Sequence, residues 1–417
     1  MDSTFGGDMF GWLFFLLTFS LPLLSAQLRR DQSAYLCGAL TIFLHNSAAV
    51  VHCYLVRLPS SAGDAAGFQQ AACDIAVGRQ PRFYGNEPFT QFLGLLYSVC
   101  GSSEFVGCEA SVVAFAASLI PFVALIDWLG LARRRCPLIL IYGLLPAKIL
   151  YCCVPLRESY EVLAFLTLIC CLARINDSPR EPLNYISSGL CMGLLTLSHR
   201  SLIIYLFLLA TVGIAWIFCR RHSTIVIVSV GFVALPLLLA LLLKSPIEES
   251  SSPKQADASD LVAYSIHYRE TIGEGRANYG LTLDLSSPQG LLTTLPMVFI
   301  YYMFSPLPWQ VNGLSDLYAI LESTCRLALF ISGLYFVQQN RSKDLKPFFI
   351  LIAFVCLEFL WSAGTSNWGQ AIRHRVIAWG LLVLLGGNQV CEAVIKYLGD
   401  KKTAQAMSLE DKLSNLS

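Results

Sequence analysis

The stretch "VGCEASVVAFAASLIPFVALIDWLGL" at residues 106–131 decides the fold class of this chain. It is long enough to cross a bilayer as a helix, for which about 18 to 25 mostly apolar residues suffice. Only Glu109 and Asp127 are charged within it, and the basic sequence "ARRR" follows at residues 132–135. Because basic loops face the cytoplasm, we predict a transmembrane helix that ends at the cytoplasmic surface.

The composition extends this prediction to the whole chain. Of its 417 residues, 55% are hydrophobic and 14% are charged, whereas soluble domains carry about 25% charged residues. Mean hydropathy is +0.59. In lipid every backbone N–H and C=O group must be paired within the protein, so repeated apolar runs indicate a helical bundle. The formal net charge of +1 argues against nucleic acid as a partner.

We predict an all-α membrane protein, a polytopic bundle of about 11–12 transmembrane helices that forms a single domain over residues 1–400, with a short cytoplasmic tail at 401–417. The apolar runs are 10–27, 34–56, 106–131, 137–156, 160–173, 184–198, 201–219, 223–243, 289–305, 317–337, 347–364 and 376–397. The prolines of "SPLPWQ" (305–310) cannot continue a regular helix. The run at 289–305 is therefore predicted to be a partial, re-entrant element.

Basic connections set the predicted orientation. Arginines recur at 29–30, 133–135, 174–180 and 220–221, on alternate connections that are all expected to be cytoplasmic. Residues 57–105, 156–159, 198–201 and 244–288 then lie outside. Beyond residue 288 the charge rule is divided, since lysines at 343–346 and arginines at 373–375 compete for the cytoplasm. A re-entrant element at 289–305 places 365–375 outside.

The first outside loop, at 57–105, contains two helical patterns. The segment "EPFTQFLGLLYSVC" (87–100) has apolar residues at helical spacing, which predicts an amphipathic helix at the membrane surface. Residues 65–77 form a second pattern, of small residues, directly after Asp64. Asp64 suits a helix N-cap, and it also suits a catalytic carboxylate near the membrane. The sequence leaves both interpretations open.

Three groups of basic residues fall at the predicted outer ends of helices. Guanidinium groups bind phosphate as planar forks, so their convergence predicts a site for a lipid-linked phosphate. The alternative is that these side chains only extend from helix ends towards the membrane surface. The residues are Arg157, His199, Arg200, Arg373, His374 and Arg375.

The long outside loop at 244–288 combines aromatic and charged residues, among them Tyr268 and Arg269. These side chains are candidates to contact a sugar or a lipid headgroup, and an ordinary solvated loop has the same composition. The sequence contains no metal-binding spacing such as HExxH or paired CxxC motifs. It also contains no phosphate-binding glycine loop.

The first outside loop resembles that of the GT-C-type integral-membrane glycosyltransferases, including bacterial dolichyl-phosphate-mannose-transferase-like members. The resemblance rests on "GDAAGFQQAACDIAVGRQP" (63–81) and "YGNEPFTQFLGLLYSVCG" (84–101). "SPLPWQ" and "GTSNWGQAIRHR" (364–375) resemble late motifs of polysaccharide-assembly membrane proteins. The positions that match the loop pattern are Asp64, Phe68, Ala72, Gly78, Tyr97 and Gly101.

The resemblance implies transfer of a sugar from a polyprenyl-phosphate donor to a lipid-linked or surface glycan acceptor, at the outer face of a bacterial plasma membrane. Asp64 would then be the general base. The four arginines at 157, 200, 373 and 375 would hold the phosphate, assisted by His199 and His374. No cofactor is required by these residues. A divalent metal is possible, because many members of the family pair two acidic residues.

Two other functions fit the same sequence. A polysaccharide polymerase of the O-antigen type would use the arginines without needing Asp64. A transporter or lipid flippase would be expected to contain two related halves with matching broken helices, and no convincing internal repeat is visible.

Cysteine accessibility tests the predicted orientation. Cysteines introduced at positions 64, 269 and 373 should all react with a membrane-impermeant maleimide in intact cells, measured against the background of the native cysteines. Labelling at position 373 only after the cytoplasmic side is opened would contradict the predicted arginine group.

Overall fold

The computed structural model describes residues 3–58, 63–81, 87–199, 202, 205, 277–279, 281, 288–311, 313, 316–341 and 343–414. Regular structure in these residues is helical, and an isolated bridge joins Asn278 to Asn367. The predicted all-α class is confirmed. The α-helices of the described residues are α1 (Ser3–Ser20), α2 (Ala26–Arg30), α3 (Gln32–Tyr54), α4 (Asp64–Ala76), α5 (Glu87–Cys100), α6 (Glu104–Trp128), α7 (Arg135–Gly143), α8 (Pro146–Cys152), α9 (Glu158–Asp177), α10 (Pro182–Ser198), α11 (Pro288–Phe304), α12 (Leu317–Asn340), α13 (Lys346–Gly364) and α14 (Trp368–Ser414).

Five helices in the described part of the chain are long and apolar enough to cross a membrane, which confirms a polytopic membrane protein. They are α3, α6, α12, α13 and the first part of α14; the broken pair α7–α8 makes a sixth span if it is counted as one. The predicted number of 11–12 is not reached in these residues. α10 and α11, with 17 residues each, are shorter than any of the five. The predicted runs at 201–219 and 223–243 lie outside the described residues, apart from positions 202 and 205. The predicted tail begins within α14, which continues past residue 400.

Two elements are interrupted inside the bundle. α7 and α8 meet at an angle of 65°, where Pro146 has no N–H to donate to a helix. α11 ends next to Ser305, which is fully buried. The Ser305 carbonyl oxygen accepts hydrogen bonds from Ser323 and Arg375, each 2.8 Å long. α11 therefore ends among other helices, at the prolines expected to stop it, and its re-entrant course stays a prediction.

Polar contacts identify one end of the bundle. Trp128 Nε1 donates to Asp177 (2.8 Å), and the Trp128 carbonyl oxygen accepts from Lys346 Nζ (3.0 Å). Arg135 pairs with Asp31 (3.3 Å) beside them. We call these five residues the basic end. The cytoplasmic connections expected at 29–30, 133–135 and 174–180 adjoin it, and so do the lysines at 343–346.

The other end of the bundle carries the first large loop. Since α6 and α9 both finish at the basic end, their first residues lie at the opposite end, and α14 also begins there. α5 packs closely on α6, because a methyl group at Gly107 would overlap the Tyr97 hydroxyl. Phe89 of α5 contacts both Phe68 of α4 and Tyr160 of α9, with ring centroids 5.2 and 5.7 Å apart. These rings bring the start of α4 next to the start of α9.

The predicted amphipathic helix corresponds to α5, with a different buried face. Phe89, Leu93 and Tyr97 are buried, whereas Phe92 and Val99 are exposed. The buried face therefore follows a spacing of four residues, and the remaining apolar side chains are free to face lipid.

A buried ion pair joins α12 to α13. Arg326 and Glu358 lie 2.5 Å apart, and their side chains are 1% and 0% exposed. A charge removed from water is costly unless it is paired, so the loss of one partner leaves the other uncompensated.

The Glu358→Gln variant should lose about 3–5 kcal/mol of stability, and the double variant Arg326→Leu/Glu358→Leu should lose less. Thermal unfolding in detergent measures both. Glu392→Gln is the control, because Glu392 is 55% exposed and 3.8 Å from Arg134; such surface pairs contribute about 0–1 kcal/mol. A single variant as stable as this control would contradict the assignment.

Candidate functional site

Asp64 is the first residue of α4, and the structure corrects its expected role as a helix cap. Gly63 occupies the N-cap position with φ of 74°, a conformation that glycine adopts without strain. Asp64 therefore lies one residue after the cap position. Its carboxylate instead accepts a hydrogen bond from Nη1 of Arg373. The negative charge still lies in the first turn of a helix, where it is electrostatically favoured.

Arg373 connects three elements of the bundle. Its Nη1 group donates to Asp64 of α4, and its Nε group donates to Oε1 of Glu158, the first residue of α9, over 2.5 Å. Its Nη2 group is buried and has no hydrogen-bond partner in the part of the chain that the structure describes. One guanidinium group in α14 thus donates hydrogen bonds to two carboxylates, and its Nη2 donor lies between them.

The two carboxylates differ in exposure. The Asp64 side chain is 54% exposed and that of Glu158 is 1% exposed, while Arg373 is 15% exposed. Exposed ion pairs contribute about 0–1 kcal/mol, whereas removal of one partner from a buried pair costs about 3–5 kcal/mol. The Glu158–Arg373 contact is therefore the fixed one, and the Asp64–Arg373 contact is open to competition from a ligand.

Arg157 lies beside this pair, directly before α9. Its Nη1 group donates to the Ser198 carbonyl oxygen over 3.2 Å, and its Nε group is 3.6 Å from Oε1 of Glu161. Glu158 and Glu161 are three residues apart and so share one face of the helix. Each of the two arginines is backed by a buried carboxylate from the first turn of α9.

His199 and His374 pack around one tryptophan at the same end. His374 stacks on Trp361 with ring centroids 4.1 Å apart, and His199 meets the edge of that ring system at 4.7 Å. Burial, together with the nearby charges of Arg157 and Arg373, lowers the pKa of His199 to about 3. His199 is therefore a neutral side chain at physiological pH, not a cation for phosphate.

The structure separates Arg375 from the expected group. Two residues along a helix are about 200° apart around its axis, so Arg375 and Arg373 leave α14 on opposite sides. Arg375 is 1% exposed, donates to the Ser305 carbonyl oxygen, and lies over the Tyr302 ring. It belongs with the buried Arg326–Glu358 pair. Arg200, Tyr268 and Arg269 lie outside the described residues.

Glu158 is the site residue that the sequence analysis did not assign. The available signal was "RESYE" (157–161), an arginine followed by two acids at helical spacing. In the described residues no group of three or more His, Cys, Asp or Glu side chains could hold a metal ion. Asp64 and Glu158 both face Arg373, so they do not form a donor set for a divalent metal.

Comparisons with known proteins leave the family open. No protein-family model matches the sequence, and no curated protein matches it. A solved structure of the archaeal oligosaccharyltransferase AglB from Archaeoglobus fulgidus, in complex with an inhibitory peptide and a dolichol-phosphate, is similar over 90% of this chain, with a TM-score of 0.46 and 8% identity. The chain spans about half of that protein's length, 52%. What the structure establishes by itself is an all-α polytopic membrane protein with a paired Arg373 at one end.

The buried neutral state of His199 makes stability depend on pH. Its pKa in the folded protein, about 3, is below the ordinary value of about 6.5. Between these values the unfolded chain binds the extra proton, so stability should fall as the pH decreases below about 6.5, by up to about 1.4 kcal/mol per pH unit.

The midpoint of thermal unfolding in detergent, measured at pH 7 and pH 5, checks this dependence. His199→Gln removes the titrating group, so its midpoint should fall less over that range than the midpoint of the unaltered protein. Equal decreases in the two proteins would show that His199 is not held neutral by the fold.

Proposed function

We propose that this chain is a membrane glycosyltransferase that moves a sugar from a polyprenyl-phosphate donor to a lipid-linked or surface glycan acceptor. The contact between Asp64 and Arg373 carries the proposal. It joins a half-exposed carboxylate, at the start of α4 in the first large loop, to an arginine whose Nη2 group is unpaired among the described residues. The motif resemblance to the GT-C-type enzymes supports the same reaction class.

Arg373 is the proposed phosphate-binding residue. With Asp64 displaced, its Nη1 and Nη2 groups present two parallel N–H donors, the geometry that matches two oxygens of a phosphate. Arg157 adds a second positive charge beside them. As the bond between sugar and phosphate breaks, negative charge develops on the leaving phosphate, and fixed cations stabilise that charge.

Asp64 is the proposed general base. The acceptor hydroxyl must lose its proton as it attacks the anomeric carbon, and a carboxylate within hydrogen-bond reach can accept that proton. Its exposure of 54% leaves room for a hydroxyl group to approach. His199, which is neutral, can donate or accept a hydrogen bond near the same arginines without adding charge.

The balance of charge favours a donor with a single phosphate. Two arginines, 157 and 373, stand among three carboxylates, those of Asp64, Glu158 and Glu161. A sugar-phosphate diester carries one negative charge, so it can replace the Asp64 carboxylate as the single negative group paired with Nη1 of Arg373. A pyrophosphate, the donor group of the polymerase alternative, adds at least one further negative charge beside buried Glu158, which low local dielectric makes costly.

The proposed setting is the outer face of a bacterial plasma membrane, with the polyprenyl chain in the bilayer. The predicted orientation supports it, because the site lies at the end of the bundle opposite the basic end.

Sugar transfer in liposomes tests the proposal. The purified protein is supplied with undecaprenyl-phosphate-linked sugars, one at a time, and release of undecaprenyl phosphate is measured. Asp64→Asn should lower kcat by about 10²–10⁴-fold. Arg373→Ala should lower it by about 10²–10³-fold. Asp177→Asn, at the basic end, is the matched control and should retain full activity.

Other outcomes separate the alternatives. A polymerase would use undecaprenyl-pyrophosphate-linked oligosaccharides and keep much of its activity as Asp64→Asn while losing it as Arg373→Ala. No release from any single-phosphate donor, together with movement of labelled lipid between leaflets, would favour a flippase.

A further inference from the structure

The two carboxylates on Arg373 use different groups of the same guanidinium. Glu158 occupies Nε, on the side of the group, and Asp64 occupies Nη1, towards its end. Nη2 lies between these positions, and no described residue is hydrogen-bonded to it. A ligand that takes Nη1 and Nη2 together must displace Asp64, and it leaves the contact with Glu158 intact.

The helices that carry the two carboxylates are also packed differently. Glu158 belongs to α9, which packs directly on α14: a methyl group at Gly380 would lie 3.1 Å from the Leu166 side chain. Its position at the helix start favours the negative charge. Asp64 belongs to the shorter α4 of the first large loop and remains half-exposed. Water or a ligand can therefore replace Asp64, whereas Glu158 has no access to solvent.

We propose that Glu158 is a positioning residue, which holds Arg373 through Nε while the donor phosphate displaces Asp64 from Nη1. This inference rests on the proposed function. Its consequence is an order of events: Asp64 is released to act as the base only when a donor phosphate has taken its place on Arg373. In the absence of donor, the Asp64 carboxylate remains paired with Arg373.

The proposal predicts opposite effects for two substitutions that remove the same charge. Simple electrostatics expects any loss of a carboxylate beside Arg373 to strengthen phosphate binding. Removal of Asp64 should do so, because Asp64 competes for Nη1. Removal of Glu158 should weaken binding, because Arg373 then loses the contact that orients it. The sign of the Glu158 effect therefore distinguishes a positioning residue from a simple counter-charge.

Binding of undecaprenyl phosphate to the purified protein in nanodiscs provides the test, with no requirement for sugar or acceptor. Asp64→Asn should bind about threefold to tenfold more tightly than the unaltered protein, and Glu158→Gln should bind at least tenfold more weakly. Glu158→Asp, which keeps the charge on a shorter side chain, should recover part of the loss. Glu109→Gln, a buried glutamate of α6 away from Arg373, is the control and should bind normally.

Steady-state kinetics adds a second measurement with an active donor. Glu158→Gln should raise KM for the donor more than it lowers kcat, whereas Asp64→Asn should lower kcat without raising KM. A fold defect in Glu158→Gln would appear as a lowered unfolding temperature. In that case the binding affinities of Glu158→Asp and Asp64→Asn test the proposal instead.

Three results have clear meanings. Binding by Glu158→Gln that equals or exceeds that of the unaltered protein overturns the positioning role, and the proposed function survives if Arg373→Ala fails to bind. If Asp64→Asn binds undecaprenyl phosphate no more tightly than the unaltered protein does, the proposed displacement of Asp64 is wrong. Failure of the unaltered protein to bind undecaprenyl phosphate, with no transfer from any donor, overturns both proposals.

Discussion

The packing of this end of the molecule depends on the ion pairs of the Arg373 guanidinium group with Asp64 and Glu158. A mostly buried arginine needs carboxylate partners, and here they come from residues 309 and 215 positions away in the chain. Meeting that requirement brings the starts of α4, α9 and α14 together. The same contact couples the first large loop to the bundle. The residues proposed for phosphate binding and for proton transfer therefore share one ion-pair network.

Arg373 and Arg375 leave α14 on opposite sides and belong to two separate groups of charged residues. Arg373 faces the first loop and α9, where one of its partners is exposed and a ligand can enter. Arg375 faces α11, α12 and α13, where the Ser305 carbonyl oxygen and the Arg326–Glu358 pair surround it without solvent. Ionisable residues inside a membrane protein often mark function. In this chain, access to solvent separates the arginine suited to a ligand from the one that holds helices together.

The interrupted helices obey the rule that backbone groups inside a membrane must be paired within the protein. At the α7–α8 break the Ala147 N–H group donates to Glu322 over 3.2 Å. At the end of α11 the Ser305 carbonyl oxygen accepts from Ser323 and Arg375. Side chains of α12 thus complete both breaks, and α14 contributes to one of them. This is why charged and hydroxyl residues occur in α12 despite its apolar length.

The sequence by itself determined the all-α membrane class, the helices of the first loop and the end of a helix before Pro306. These features depend on local properties: runs of apolar residues, helical spacing, and the missing N–H of proline. It also singled out Asp64 and Arg373, as separate candidates. Only the tertiary structure decided that these two are in contact, that Glu158 shares Arg373 with Asp64, and that Arg375 does not. Such pairings join residues hundreds of positions apart and depend on the rotation of each helix about its axis, which local patterns do not specify.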